Sequence, residues 1–191
     1  KNANCKRACF ERCDLKKADM TNSFLEGASL QDADLSDTIL RYARLTEADL
    51  SGVNLTGSDM SLADLRANFN EANMAGCTLG RTNMSNCVLK TADLKGASIA
   101  FANLSYADLE RADLSGTDLS QTDLSWANLS GANLRGARLI GANLDMADLT
   151  GADLQGATII NTKLNSTSFS QAVFGVTIIA NCDLTRVIGL D

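Results

Sequence analysis

The 191-residue chain has no proline, no histidine, one tryptophan and only 5% aromatic residues. Lack of histidine removes the usual general base near neutral pH and the commonest metal ligand. No run of about 18 apolar residues occurs, so no membrane-spanning helix is expected. The sequence opens at Lys1 without a basic, apolar secretory leader and without an initiator methionine, an opening in keeping with further sequence upstream. Long loop insertions are also missing, and these carry function in many repeat proteins.

What is present is periodic. Between residues 130 and 157, "SGANLRGARLIGANLDMADLTGADLQGA", a leucine returns at every fifth position, from Leu134 to Leu154. Five residues of α-helix advance 500°, so these leucines would spiral around a helix rather than share a face. On a strand of period two they would flip sides at every repeat. The chain must therefore turn within each repeat, as a coil of short extended pieces. Large residues mark the period from Cys5 through Phe10, Leu15 and Met20 to Leu65, then from Phe69 to Leu184. Two positions before each lies a small residue, usually Ala and otherwise Cys, Ser, Thr or Val. Residues two apart on an extended segment share a side, so both face inward and the Asp or Asn between them faces out. The two remaining positions, often Ser-Gly or Thr-Gly, form a corner where glycine tolerates positive φ.

The pattern A-[DN]-L-x-x, seen at Ala107-Asp108-Leu109-Glu110-Arg111 and Ala132-Asn133-Leu134-Arg135-Gly136, resembles the pentapeptide-repeat family. The resemblance runs from about Ala3 to Leu184. It implies an all-β fold, a right-handed quadrilateral parallel β-helix with four pentapeptides per coil and Leu or Phe stacked inside. Four sides require features to recur at 20 residues. Gly96, Gly116, Gly136 and Gly156 do so, as do Tyr106, Trp126 and Met146. The expectation is one solenoid over residues 1–191, of about nine coils and on the order of 45 Å long. One irregularity breaks it: Leu65 and Phe69 in "ADLRANF" are four apart, so the register slips by one residue. This is either a tolerated deletion or a kink that redirects the rod.

Of the six cysteines, Cys13, Cys77, Cys87 and Cys182 occupy the small inward slot, where a thiol replaces alanine. "CKRACFERC" separates its cysteines by three residues rather than in the paired two-residue spacing of zinc sites. No metal site and no cofactor is expected, and the thiols favour a reducing, cytoplasmic setting. The outward row Asp14, Asp34, Asn54, Asn73, Asp93, Asp113, Asn133 and Asp153 reads as solvated groups that support the backbone. A closed rod without histidine, and without a nucleophile beside a base, gives no catalytic residues; the chain is not expected to be an enzyme.

Residues 1–17 carry a net charge of +4 and the remainder −10. The acidic body disfavours direct nucleic-acid binding. The family resemblance implies another possibility, because some members are acidic rods that mimic DNA, bind topoisomerases such as gyrase and confer quinolone resistance. Those members favour phenylalanine knobs and often carry loops, unlike this leucine-rich chain.

The outward apolar residues are more specific. Ile39, Tyr42, Leu62, Phe101, Ile140, Ile160 and Ile178 fall along one face, and Tyr106, Trp126 and Met146 along a neighbouring corner row. The expectation is a non-enzymatic scaffold that binds an unidentified protein through Phe101, Tyr106, Trp126, Ile140, Met146 and Ile160. Terminal coils expose strand edges, so homo-oligomers through the stripe or the coil ends, or flanking domains, are expected to cover them.

Overall fold

The computed structural model describes residues 1–190, which wind into a four-sided parallel β-helix. Each outward residue bridges its counterpart 20 residues on, as in Asp14–Asp34–Asn54 and Asn103–Asp123–Asn143. One such column, from Cys9 to Ile188, passes through ten levels. Among the described residues one pairing alone extends into true strands, β1 (Thr158–Ile160) and β2 (Ile178–Ala180), parallel with Ile159 opposite Ile179. Elsewhere the extended piece is a single outward residue between its two inward neighbours.

The backbone bonding follows from that geometry. In Ala33-Asp34-Leu35-Ser36-Asp37, the Asp34 N–H donates to Cys13 in the preceding coil, and Leu35 and Asp37 donate to Asn54 and Thr56 in the following one. The next small residue, Thr38, closes the corner by donating to the Leu35 carbonyl. That scheme leaves one N–H per repeat, on the first corner residue, without a backbone acceptor. The outward Asp or Asn supplies it: Asp34 Oδ1 accepts from Ser36 N at 3.1 Å, Asp113 from Ser115 at 2.9 Å, and Asn133 from Arg135 at 3.2 Å. Such an Asx turn explains why the outward position holds Asp or Asn rather than any polar residue. Amides also tie coils together, as Asn133 Nδ2 donates to Asp113 Oδ1 at 3.0 Å and Asn143 to Asp123 at 3.0 Å.

Inside, the large residues stack in four columns, fully buried from Leu25 to Phe169. Each is worth roughly 1.5–3 kcal/mol of burial, so the columns carry the fold. Alanine beside them fills the remaining space. Where Thr or Ser replaces it, most hydroxyls use a nearby carbonyl: Thr38 and Ser58 both donate to Leu35 O, and Thr167 to Leu144 O, whereas the fully buried Ser23 hydroxyl has no partner. At the ends the columns open. Cys5, Phe10, Leu15, Met20, Phe174 and Ile179 are partly buried, and Leu184 is exposed.

Across the slip, the bridge spacing drops to 19 residues, as in Asp49–Asn68 and Asp64–Asn83, and returns to 20 at Asn68–Val88. The lost residue comes from the corner after Leu65, where Arg66 alone turns the chain and no residue takes positive φ. The Arg66 guanidinium folds back on Asp64 with two bonds of 2.8 and 2.6 Å. All four columns continue through the slip.

Candidate functional site

At most corners the second residue adopts φ between about 54° and 72°, which the turn requires whatever the side chain. Glycine meets this without strain. Among the described residues, 24 non-glycine residues also adopt positive φ, and most are polar. Six are large and apolar: Tyr42, Leu62, Phe101, Tyr106, Trp126 and Met146. These six lie on two corners only, the two that bound the side carrying Asn83, Asn103, Asp123, Asn143 and Lys163. In Phe101-Ala102-Asn103-Leu104-Ser105-Tyr106 a single repeat places an aromatic ring at each end of that side.

Tyr106, Trp126 and Met146 stand on one corner in successive coils, with their N–H groups donating to Ser125, Asp145 and Asn165. The two rings stack with centroids 5.9 Å apart and planes 8° from parallel. All three side chains remain open, at 57, 52 and 45% exposure. Phe101, 57% exposed, stands on the other corner with its ring under the Arg81 guanidinium at 5.3 Å. Ile140 and Ile160 lie on that corner too, at its first position, where they are half-buried. The apolar residues therefore form two ridges separated by a polar side, rather than one continuous stripe. Sequence spacing gave each row; which corners flank the same side follows from the coil order.

The family model for pentapeptide repeats matches in eight copies, in segments that together span residues 1–188 and break between residues 66 and 67, at the slip. The chain belongs to the pentapeptide-repeat family. Its fold is the right-handed quadrilateral β-helix of that family. Among solved structures it is similar to HetL, a pentapeptide repeat protein involved in heterocyst differentiation regulation from the cyanobacterium Nostoc. The two are 31% identical, over 97% of this chain and 90% of HetL, with a TM-score of 0.60. Trypsin-treated QnrB1, a plasmid-mediated fluoroquinolone resistance protein, shares the fold at 18% identity, over 88% of this chain and 89% of that one, with a TM-score of 0.51. No curated protein matches the chain.

Other polar groups of this pentapeptide-repeat rod pair with one another. Cations of the basic N-terminal coil pair with acids 18 to 20 residues on: Lys1 with Asp19, Lys6 with Glu26, Arg12 with Asp32 and Lys16 with Asp34. These exposed pairs contribute little each, but they use cations that sequence alone leaves free. Hydrogen bonds from Ser36 and Thr21 hold the carboxyls of Asp34 and Asp19 at about 2. Cys77 and Cys87 line opposite walls of the interior, and burial pushes the Cys77 thiol up to about 12 and Cys87 higher still, which disfavours the thiolate in both. Among the described residues no three His, Cys, Asp or Glu side chains gather as a metal site, and no helix is long and apolar enough to cross a membrane.

Proposed function

We propose that this pentapeptide-repeat protein is a non-enzymatic scaffold, one continuous solenoid that binds a protein partner along the side between Phe101 and Tyr106. The contact residues are Tyr106, Trp126 and Met146 on one corner and Phe101, Ile140 and Ile160 on the other. One observation carries the reading: every large apolar residue in a left-handed corner position lies on these two corners, where the turn itself asks for none. Large exposed apolar surface with aromatic anchors is characteristic of contact sites. HetL, which is involved in the regulation of heterocyst differentiation, agrees with a regulatory scaffold. Six free cysteines suit a reducing, cytoplasmic setting.

Sedimentation of the wild type and Trp126→Ala, with capture of partners from the native lysate, tests this. Loss of a second subunit or of captured proteins in the variant is expected. A monomeric wild type capturing the same proteins as the variant would leave the ridge without a role. The net charge of −10 over residues 18–191 favours a second reading, a DNA mimic directed at a type II topoisomerase. Inhibition of gyrase supercoiling below micromolar concentration would support it, and no inhibition would leave the scaffold.

A further inference from the structure

We infer that the Tyr106–Trp126–Met146 ridge receives a cationic, arginine-bearing segment of its partner; this rests on the proposed contact role of that corner. The rod shows how it treats its other outward rings. Phe24 lies beneath both Lys6, at 5.4 Å, and Arg44, at 5.3 Å. Tyr42 has Arg41 at 5.9 Å, and Phe101 has Arg81 at 5.3 Å. Each of these three rings is thus covered by a cation of its own chain. Tyr106 and Trp126 are the two outward rings without one, and their neighbours on the row, Asn86 and Met146, bring no charge.

The surroundings of those two rings hold three acids, with one cation, Lys163, at the far end of the side before the corner. Asp123 lies on the side before the corner, Asp145 next to Met146, and Asp148 on the side after it. Among the described residues no salt bridge reaches any of the three. Asp123 accepts from Ser125 N and Asn143 Nδ2, Asp145 from Asn165, and Asp148 from Thr150 N, all neutral donors. Asp108, the nearest other acid on the following side, is already paired with Lys90 at 3.1 Å. An exposed π-face bordered by carboxylates that join no salt bridge among the described residues matches both properties of a guanidinium, which stacks on aromatic rings and forks onto carboxylates. An uncharged or acidic segment would leave the carboxylates unpaired against the interface, at a cost.

Trp126 is the chain's single tryptophan, so its emission reports this ridge alone. The probes are three acetylated, amidated octapeptides, (Gly-Arg)4, (Gly-Gln)4 and (Gly-Leu)4, titrated at physiological salt to screen long-range attraction. A saturable change in Trp126 emission with (Gly-Arg)4 and none with (Gly-Gln)4 is expected. Joint replacement of Asp123→Asn, Asp145→Asn and Asp148→Asn keeps an Oδ1 acceptor for each backbone N–H and should weaken (Gly-Arg)4 binding about tenfold or more. Asp37→Asn, Asp93→Asn and Asp113→Asn together, on the far side of the rod, should change it less than about twofold, as unscreened contacts are absent there. Equal weakening by both triple variants would reduce the effect to net charge and overturn the inference. A stronger response to (Gly-Leu)4 would keep the ridge as a contact surface but overturn its cationic partner. No saturable response to any peptide would overturn both.

Discussion

The corner that carries Tyr106, Trp126 and Met146 and the corner diagonally across the rod, which carries Gly96, Gly116, Gly136 and Gly156, share one backbone. Their φ values are 60°, 62° and 63° on the first and 64–72° on the second. Both close with the same bond, as Ala127 N donates to Leu124 O and Ala137 N to Leu134 O. Glycine is not there to save space: a β-carbon added at Gly96, Gly116 or Gly136 would meet no atom within 4 Å. It is there for the left-handed conformation, which costs an L-residue roughly 1–2 kcal/mol. The aromatic corner therefore carries a strain that its opposite avoids, and stacking of Tyr106 on Trp126 returns only about 0.5–1.5 kcal/mol of it. A fold that is satisfied by glycine on one corner does not need tryptophan on another.

The core beneath both corners must be equivalent for that comparison to hold. Leu124 adjoins the aromatic corner and Leu134 the glycine corner, and both are fully buried. Leu124→Asp and Leu134→Asp should each place an unpaired carboxylate in the columns and cost upwards of about 4 kcal/mol. Urea denaturation giving a large loss at one and a small loss at the other would break the equivalence.

Trp126→Ala comes next. Association with the partner should weaken by about 2 kcal/mol or more, as for an aromatic anchor. Titration calorimetry with the captured partner measures this. The reverse graft, Gly116→Trp, should gain no binding and lower stability by roughly 1–2 kcal/mol through the left-handed strain alone. Stability unchanged by the graft would show that this corner position tolerates any residue, and the comparison would lose its force.

Acid sharpens the comparison between sides rather than corners. The side before the glycine corner carries Asp14, Asp34, Asp93, Asp113 and Asp153, whereas the side between the aromatic ridges is mostly Asn from Asn83 to Asn143. The hydrogen bonds from the Ser36 hydroxyl and N–H hold Asp34 at about 2, below the ordinary carboxylate value. A carboxyl whose folded value is depressed stabilises fully above about pH 4 and loses that stabilisation as pH falls through about 2. Stability of the wild type should therefore decline over that window, and Asp34→Asn, which keeps the acceptor without titrating, should decline less. Equal declines would mean that the Asx turns do not sense acid. The smallest effect belongs to Cys77→Ala, which removes one thiol donor to Leu55 O from an alanine slot and should cost under about 1 kcal/mol by thermal melting.

Much of this was legible in the sequence because period five is incompatible with a single helix or strand. The inward pair, such as Ala132 and Leu134, and the outward Asn133 follow from alternation alone. The role of Asn133 does not, since the orphan N–H of Arg135 becomes visible only once the coil-to-coil bonding is laid out. Asp-Leu-Ser at residues 34–36 was its available signal, with Ser36 Oγ also donating to Asp34 at 2.7 Å. The candidate site was half legible. Spacing by 20 marks the row Tyr106, Trp126, Met146 and sets Ile140 and Ile160 apart from it, but it cannot show that those two isoleucines sit half-buried. Nor does it reveal that Lys6, Arg44, Arg41 and Arg81 cover the other outward rings, because those pairs join residues in different coils or across a turn.

The central claim is that the aromatic corner is kept for a partner and not for the fold. Replacement of all three residues together, Tyr106→Gly, Trp126→Gly and Met146→Gly, tests it most directly when unfolding in urea is followed by circular dichroism. The variant should unfold within about 1 kcal/mol of the wild type, or above it, as relief of left-handed strain offsets the lost stacking. A loss of about 3 kcal/mol or more would make the corner a structural element and contradict the account.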